Sequence, residues 1–159
     1  MEDRKIRVAI THGDTNGIGY EVILKTFEDP MMLELCTPII YGSPKVAAYH
    51  RKALDLQTPY TIINNAEDAK DDHLNLLATF EDEVKVDLGQ PTEESAEAAR
   101  KAMQRAKEDM QKGLYDVLVM APVKPNPNPA KEDKALTIML SDVVRIGLVT
   151  THLPIKEVS

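Results

Sequence analysis

Alternation of apolar and polar residues predicts most of the strands in this chain. Near the start, Ile6, Val8 and Ile10 alternate with Arg7 and Ala9, which is the period of a half-buried strand. A largely apolar run from Asp116 to Ala121 is typical of a strand buried in a parallel sheet. The predicted strands are Ile6–Ile10, Ile39–Tyr41, Tyr60–Ile63, two short strands between His73 and Leu88, Asp116–Ala121, and a hairpin of Ala135–Leu140 with Val143–Val149.

The same pattern changes to helical spacing in the segments between these strands. We predict a helix over Ile18–Glu28, ended by Asp29 and Pro30, with a short helical turn at Met31–Cys36. Ser43 followed by Pro44 is a strong start signal and predicts a helix over Pro44–Leu54. In the first helix the residues expected to face the sheet are Ile18, Val22, Leu24 and Phe27.

The longest predicted helix is Thr92–Gln111. Thr92 is its expected cap, Glu93 and Glu94 suit the positive end of the helix dipole, and Gly113 supplies the stop. Its predicted buried face, spaced three and four residues apart, consists of Ala96, Ala99, Met103, Ala106 and Met110. Small residues on that face indicate close packing on a sheet.

Strands that alternate with helices up to Ala121 predict an α/β fold, a three-layer sandwich with a mainly parallel central sheet. The charged stretch Glu67–Asp72 is expected to be a loop. After this core the sequence KPNPNPAKEDKA begins at Lys124, and its alternating prolines forbid a helix and favour extended backbone. We therefore expect one domain over residues 1–159, with an inert, mobile linker at 124–134.

A glycine-punctuated loop connects the first strand to the first helix and carries the candidate binding residues, Gly13, Asp14, Asn16, Gly17 and Gly19. The glycines free the backbone, Asn16 can cap the helix, and the helix amides favour an anion such as a cofactor phosphate. The spacing differs from the dinucleotide fingerprint GxGxxG. A tight strand-to-helix connection without a ligand is the alternative interpretation.

Composition narrows the class of protein. The chain has 159 residues and a net charge of −7, and the absence of a long basic run argues against nucleic acid or an anionic membrane surface as a partner. Its single cysteine, Cys36, cannot form an internal disulfide, and with no visible signal peptide or spanning segment the cytoplasm is the expected location. Cys36 lies in an apolar run, which favours a buried small side chain over a reactive thiol.

The loop sequence THGDTNGIGYE, residues 11–21, resembles the opening motif of the 4-hydroxythreonine-4-phosphate dehydrogenase family of vitamin B6 biosynthesis, and more distantly a loop of isocitrate and isopropylmalate dehydrogenases. Thr15 stands where that family usually has proline, so the loop is expected to be less rigid. Further segments resemble the family in the same order: IIYGSPKVAAYHRKAL, VKVDLGQPT, DVLVMAPV and VVRIGLVTTHLPIKE.

The resemblance implies an NAD-dependent dehydrogenase fold, an isocitrate dehydrogenase-like partial domain, and a divalent metal, zinc or magnesium, held by three histidines. Only His152 matches one of those ligands. His12 lies in the glycine loop, His50 on a predicted helix surface and His73 in a predicted solvated turn, so their spacing does not restore the site. Asp14 and Glu21 could orient a ligand, or could be a loop cap and a solvated helix charge. No catalytic residue is assigned.

The PNPNP linker replaces a longer family segment with a His-Thr-Glu substrate motif, and the second half of the family enzyme has no counterpart. The first interpretation is a truncated or engineered fragment, a folded scaffold without catalysis and with no bound cofactor. The second is residual phosphate or nucleotide binding at the Gly13–Gly19 loop. The third is oxidation of the small phosphorylated substrate in a site completed by another chain, for which a homo-oligomer would serve.

Overall fold

The computed structural model describes residues 4–80, 84–123 and 137–148, and the chain divides into two compact units, Met1–Lys124 and Pro125–Ser159. The predicted linker at 124–134 lies outside the described residues. The elements of the first unit are β1 (Ile6–Thr11), α1 (Gly19–Thr26), α2 (Met31–Leu35), β2 (Cys36–Gly42), α3 (Pro44–Ala53), β3 (Thr61–Ile63), a 3₁₀ turn (Ala66–Asp68), β4 (Asn75–Ala78), α4 (Glu93–Gln111) and β5 (Val117–Met120).

The first unit is built on a five-stranded sheet with strand order β3-β4-β2-β1-β5, and every neighbouring pair is parallel. Adjacent residues of one strand face opposite sides of the sheet. Ile10 accordingly packs in a cluster with Tyr20 and Leu24 of α1, whereas Ala9 packs in a second cluster with Ala102 and Ala106 of α4. Helices thus cover both faces, and the predicted three-layer α/β architecture is confirmed.

Two of the predicted helix starts have the expected caps. In α3 the Ser43 Oγ accepts from the Val46 amide at 3.5 Å, and Pro44 is the first helical residue. In α4 the Thr92 Oγ1 accepts from the Ser95 amide at 3.1 Å, and Ser95 Oγ accepts in return from the Thr92 amide at 3.4 Å.

The strand prediction was wrong in two places. β2 begins at Cys36 rather than Ile39 and therefore contains Pro38, whose carbonyl accepts from the Asn75 side-chain amide of β4 at 3.1 Å. The segment 84–88 is not a strand, because its backbone amides have side-chain acceptors instead of a neighbouring strand. Lys85 N donates to Glu94 Oε1 at 3.2 Å, and Asp87 N donates to Asn16 Oδ1 at 2.9 Å.

The buried face of α4 is displaced from the prediction by about one residue. Ala96, Ala99 and Met103 are half-buried and Met110 is exposed. The residues that the structure buries are Ser95, Ala98, Ala102, Ala106 and Asp109. Two of these five are polar, and each has partners: Ser95 belongs to the capping pair, and the fully buried Asp109 accepts from Tyr41 Oη at 3.0 Å and from Arg105 Nε at 3.2 Å. A count of apolar residues misses such a face.

Two apolar surfaces that were predicted to be buried are exposed. In α1 the sheet side carries Tyr20, Ile23 and Leu24, while Ile18 and Val22 point to solvent. β5 was predicted to be a buried strand, yet it is an edge strand of the described sheet, and the exposed fractions of Val117, Val119 and Met120 are 46%, 47% and 64%.

The described part of the second unit is a hairpin. β6 (Thr137–Leu140) pairs with β7 (Arg145–Leu148) in antiparallel register, with Met139 opposite Ile146. This confirms the predicted hairpin, and β7 begins at Arg145 rather than at Val143. Among the described residues of both units, no helix combines the length and apolar character that a membrane span requires.

We predict that Asp109→Ala lowers the free energy of unfolding by about 2–4 kcal/mol, because the buried Tyr41 hydroxyl and the Arg105 guanidinium would lose their common acceptor. The measurement is urea denaturation. Glu108→Ala is the matched control, since Glu108 lies on the exposed side of the same helix, and its effect should stay within about 0.5 kcal/mol. Equal effects of the two substitutions would contradict this assignment.

Candidate functional site

The loop between β1 and α1 lies where ligands bind in α/β proteins, at the carboxyl end of a central parallel strand. It is fixed to the segment that follows β5, because Asp14 N donates to the Pro122 carbonyl at 3.0 Å and Ala121 N donates to the Thr11 carbonyl at 3.1 Å. Thr11, His12, Thr15 and Asn16 are all buried. The loop is therefore an ordered part of the sheet edge.

Two of the three loop glycines are required by the backbone. Gly13 has a φ of +73°, and a Cβ there would lie 2.4 Å from the Pro122 carbonyl oxygen. A Cβ on Gly19 would lie 2.0 Å from the His12 carbonyl oxygen, so only glycine allows α1 to begin so close to the end of β1. Gly17 has neither constraint, since its nearest neighbour would be 3.4 Å away.

Asp14 and Glu21 have the structural roles that were weighed against ligand binding. The Asp14 carboxylate accepts from the Asn16 amide at 2.9 Å, and the Asp14 carbonyl accepts from the Gly17 amide at 3.0 Å, which closes the turn. Glu21 forms an ion pair with Lys25 at 2.6 Å, one helical turn away.

Asn16 does not cap α1, contrary to the prediction. The helix begins at Gly19 and its cap residue, Ile18, makes no side-chain hydrogen bond. The Asn16 side chain instead donates to the Gln90 carbonyl at 2.8 Å and accepts from the Asp87 amide at 2.9 Å. Asn16 thereby fixes the loop to the segment before α4, and its side chain is already fully used by the protein.

A column of stacked rings lies beneath the loop. His12 stacks on Tyr20 with ring centroids 5.1 Å apart, and Tyr20 stacks on His50 with centroids 5.3 Å apart. His50 was expected on a helix surface but is buried, because its Nε2 donates to the Thr15 carbonyl at 2.7 Å. The Tyr20 hydroxyl accepts from the Ser43 amide at 2.9 Å, and burial raises the pKa of Tyr20.

The loop also holds buried polar atoms that lack a hydrogen-bond partner among the described residues. They are Thr11 Oγ1, both ring nitrogens of His12, and Thr15 Oγ1. Burial lowers the pKa of His12 from 6.5 to about 4, and the nearby backbone of Gly13 and Ala98 opposes this shift only in part, so the ring is neutral at pH 7. Buried groups of this kind usually have a partner, either water or a ligand.

The other candidate residues do not join this loop. His73 is exposed and its Nδ1 contacts the Asp71 carbonyl at 2.8 Å, as expected for a solvated turn. Cys36 is half-buried rather than buried, and desolvation raises the pKa of its thiol, which agrees with an unreactive side chain. His152 lies outside the described residues, and within residues 4–80, 84–123 and 137–148 no group of three or more His, Cys, Asp or Glu side chains could hold a metal.

Sequence reasoning missed the part of the site that lies below the surface. Thr11, Tyr20 and Phe80 were not singled out, and Thr15 was noted only as a replacement of the family's proline, although Phe80 meets the His12 ring edge-on at 6.0 Å. The signal that could have indicated Thr11 and Thr15 is the change from apolar to polar residues directly after Ile10.

The pH dependence of stability tests the buried state of His12. Because its pKa is lower in the folded state than in the unfolded state, unfolding takes up a proton between pH 6.5 and about 4. Above pH 6.5 the protonation of His12 should therefore not lower the free energy of unfolding. As the pH falls to about 4, it should lower the free energy of unfolding by up to about 3 kcal/mol. The measurement is urea unfolding across that range for the wild type and for His12→Phe. The same pH slope in both proteins would show that His12 is not the source.

A second test concerns the close backbone approach at Gly19. Gly19→Ala should destabilise the fold by at least about 2 kcal/mol, because a Cβ would overlap a backbone carbonyl that cannot move independently of the sheet. Gly17→Ala is the matched control and should change stability by less than about 1 kcal/mol. Thermal unfolding of both variants is the measurement, and a difference below 1 kcal/mol would mean that the loop adapts.

Comparisons with known proteins agree with the sequence resemblance. The family model described as pyridoxal phosphate biosynthetic protein PdxA matches residues 34–128. The chain is 48% identical to 4-hydroxythreonine-4-phosphate dehydrogenase of Bacteroides thetaiotaomicron over 176 residues, which is 100% of this chain and 48% of the relative. It is 29% identical to the Aquifex aeolicus enzyme of the same name, covering 96% of this chain and 51% of the relative.

Solved structures show the same fold. A 4-hydroxythreonine-4-phosphate dehydrogenase from Burkholderia phymatum matches with a TM-score of 0.74 and 22% identity, covering 96% of this chain and 52% of that one. The corresponding protein from Klebsiella pneumoniae matches with a TM-score of 0.72 and 17% identity, covering 98% and 53%. The chain thus spans about half the length of the curated relatives it matches. With a family model matched over more than half of its residues, the chain belongs to the PdxA family of pyridoxal phosphate biosynthetic proteins.

Proposed function

We propose that these 159 residues form the loop-bearing half of a 4-hydroxythreonine-4-phosphate dehydrogenase and do not oxidise that substrate unaided. The observation that carries the proposal is the coverage: the chain matches the family over its whole length but spans only 48% of the Bacteroides thetaiotaomicron relative. The family resemblance implies that further metal-binding histidines and the cofactor-binding segments belong to the part of the relatives that this chain does not cover.

The donor set in this chain supports the same conclusion. The family resemblance implies a divalent metal held by three histidines, of which only His152 has a counterpart. The described residues contain no group of three side chains suited to a metal, so they do not fit the metal by themselves. Hydride transfer requires substrate and cofactor fixed within reacting distance, an effect of up to about 7–11 kcal/mol that half a site does not supply.

In the described residues, hydrogen bonds already hold in place the loop that would contact a ligand. The loop is held on both sides, by the Pro122 carbonyl after β5 and, before α4, by the Gly89 amide on the Asn16 carbonyl and the Asp87 amide on the Asn16 side chain. A loop held in this way loses little entropy when a ligand binds. The buried, partnerless oxygens of Thr11 and Thr15 are additional groups that a polar ligand or an ordered water would satisfy.

Those buried oxygens favour a second candidate function, residual binding of a phosphate or nucleotide at the Gly13–Gly19 loop. α1 has no side-chain cap at Ile18, which leaves its first backbone amides available to an anion. Glu21 in the first turn opposes this, although Lys25 neutralises it in part. Titration with NAD, with zinc and with the phosphorylated substrate, in the wild type and in Gly17→Ala, separates binding from an inert scaffold.

We predict no reduction of NAD above background when the chain is incubated with 4-hydroxythreonine 4-phosphate and added zinc or magnesium. The measurement is absorbance of the reduced cofactor, with a full-length relative as the positive control. Activity that disappears in His152→Ala and survives in His73→Ala would overturn the proposal. That result would instead favour a site completed between copies of this chain, with His152 as a metal ligand.

A further inference from the structure

Asn16 is the only asparagine of the sequence that precedes a glycine. Asparagine is chemically labile, because the backbone nitrogen of the next residue can attack its side-chain carbonyl carbon and displace the amide as ammonia. Glycine at the next position favours this attack, since it has no Cβ to hinder the nitrogen. The pair Asn16–Gly17 therefore has the composition of a deamidation site.

In the folded chain the Asn16 side chain is fixed to the segment before α4. Its Nδ2 donates to the Gln90 carbonyl at 2.8 Å and to Thr92 Oγ1 at 3.2 Å, and its Oδ1 accepts from the Asp87 amide at 2.9 Å. Only 3% of the residue is exposed. Both ends of the side-chain amide are thus occupied, and water has little access to them.

The attacking nitrogen is occupied as well. The Gly17 amide donates to the Asp14 carbonyl at 3.0 Å, and the Asp14 carboxylate accepts from the Asn16 amide at 2.9 Å. The reaction requires the Gly17 nitrogen to bond to Asn16 Cγ, so this turn must open first. The folded loop accordingly suppresses a reaction that its own sequence favours.

The contacts that restrain Asn16 lie at the protein surface. Residues 87–91 are all exposed and form neither helix nor strand, and the Gly89 amide donates to the Asn16 carbonyl at 2.8 Å. Val84 and Val86, directly before, are half-buried and pack against the core. Segments with few buried apolar contacts open at a lower free energy than the core. Residues 87–91 can therefore separate from the loop while the sheet stays folded.

We propose that Asn16–Gly17 is a deamidation site controlled by release of the glycine loop from residues 87–91. After release, the Gly17 nitrogen bonds to Asn16 Cγ, the Cγ–Nδ2 bond breaks, and the proton of the Gly17 amide leaves with the ammonia. The product is a five-membered succinimide. Water then adds to one of its two carbonyl carbons and opens the ring to aspartate or isoaspartate, so the reaction consumes only water.

The modification would make the release permanent. An aspartate carboxylate cannot donate to the Gln90 carbonyl, which would leave two oxygens facing each other where Asn16 Nδ2 now donates. The new negative charge would also lie close to the Asp14 carboxylate. Isoaspartate inserts an additional carbon into the backbone and disrupts the turn between Asp14 and Gly17. The loop would lose its attachment whether or not the chain takes part in oxidation of a substrate.

The first experiment follows the mass of the tryptic peptide that contains Asn16 while the full chain is incubated in mildly alkaline buffer at several urea concentrations. We expect deamidation to be at least about tenfold faster in denaturing urea than in buffer, because the folded loop is open in a small fraction of molecules. Below the unfolding transition, the logarithm of the rate should rise with urea less steeply than the equilibrium constant of global unfolding, since local release exposes little surface. Gly17→Ala should slow the reaction at least about tenfold in denaturing urea, because its Cβ hinders the attacking nitrogen.

The second experiment tests the consequence by hydrogen exchange. In Asn16→Asp the Gly89 amide should exchange at least about tenfold faster than in the wild type, while the amides of β1 and β2 keep their protection. Asn64→Asp is the matched control, since it adds the same charge at an exposed residue, and it should leave the exchange of Gly89 unchanged.

The proposal is overturned if Asn16 keeps its mass in denaturing urea or if Gly17→Ala reacts as fast as the wild type. It is also overturned if folded and unfolded chains deamidate at the same rate, if deamidation follows global unfolding alone, or if the two aspartate variants behave alike. None of these measurements depends on NAD reduction, so activity of the chain alone would contradict the proposed function and leave this test intact.

Discussion

The burial of Tyr20 against the end of β2 is the constraint on which the carboxyl edge of this sheet depends. The ring is fully buried between the two imidazoles of His12 and His50, and its hydroxyl accepts from the Ser43 amide at 2.9 Å. A Cβ on Gly42 would lie 2.2 Å from that hydroxyl, so β2 must end in glycine. One side chain of α1 thus contacts the residues at the end of β1, at the end of β2 and at the start of α3.

The fold was predictable because local signals agree with one another. Ser43 followed by Pro44 began a helix where both residues favour it, and the alternation around Ile6–Ile10 continued into the strand observed. The predictions that failed concern residues whose structure is determined by a contact with a residue distant in the sequence. Pro38 stands inside β2, and Asn75 of the neighbouring strand donates to its carbonyl. Asp109 is buried because Tyr41 and Arg105 surround it, information that a helical period does not contain.

The position of the candidate site could be predicted from the sequence, but the hydrogen bonds that form it could not. Glycines after an apolar strand indicated the loop, and Gly13 and Gly19 are indeed required there. The role of Asn16 depends on Asp87 and Gln90, which are more than seventy residues away in the chain. His50 was judged by its place on a helix, yet the carbonyl of Thr15 makes its burial favourable. Long-range hydrogen bonds of this type leave no periodic trace in a sequence.

β5 connects the exposed edge of the sheet with the loop. It pairs with β1 in parallel register over Val117–Met120, and further polar contacts fix both of its ends. At the start, Asp116 accepts from Nη1 and Nη2 of Arg4 at 2.8 and 2.7 Å and from the Arg7 amide at 2.8 Å, and this pairing lowers the pKa of Asp116.

At the other end of β5, the Pro122 carbonyl accepts from Asp14 in the loop itself. The Ala121 amide in turn donates to the Thr11 carbonyl, so the end of β5 and the glycine loop are joined by backbone hydrogen bonds in both directions. A change in the position of β5 would therefore displace the loop, because these bonds connect the two backbones directly.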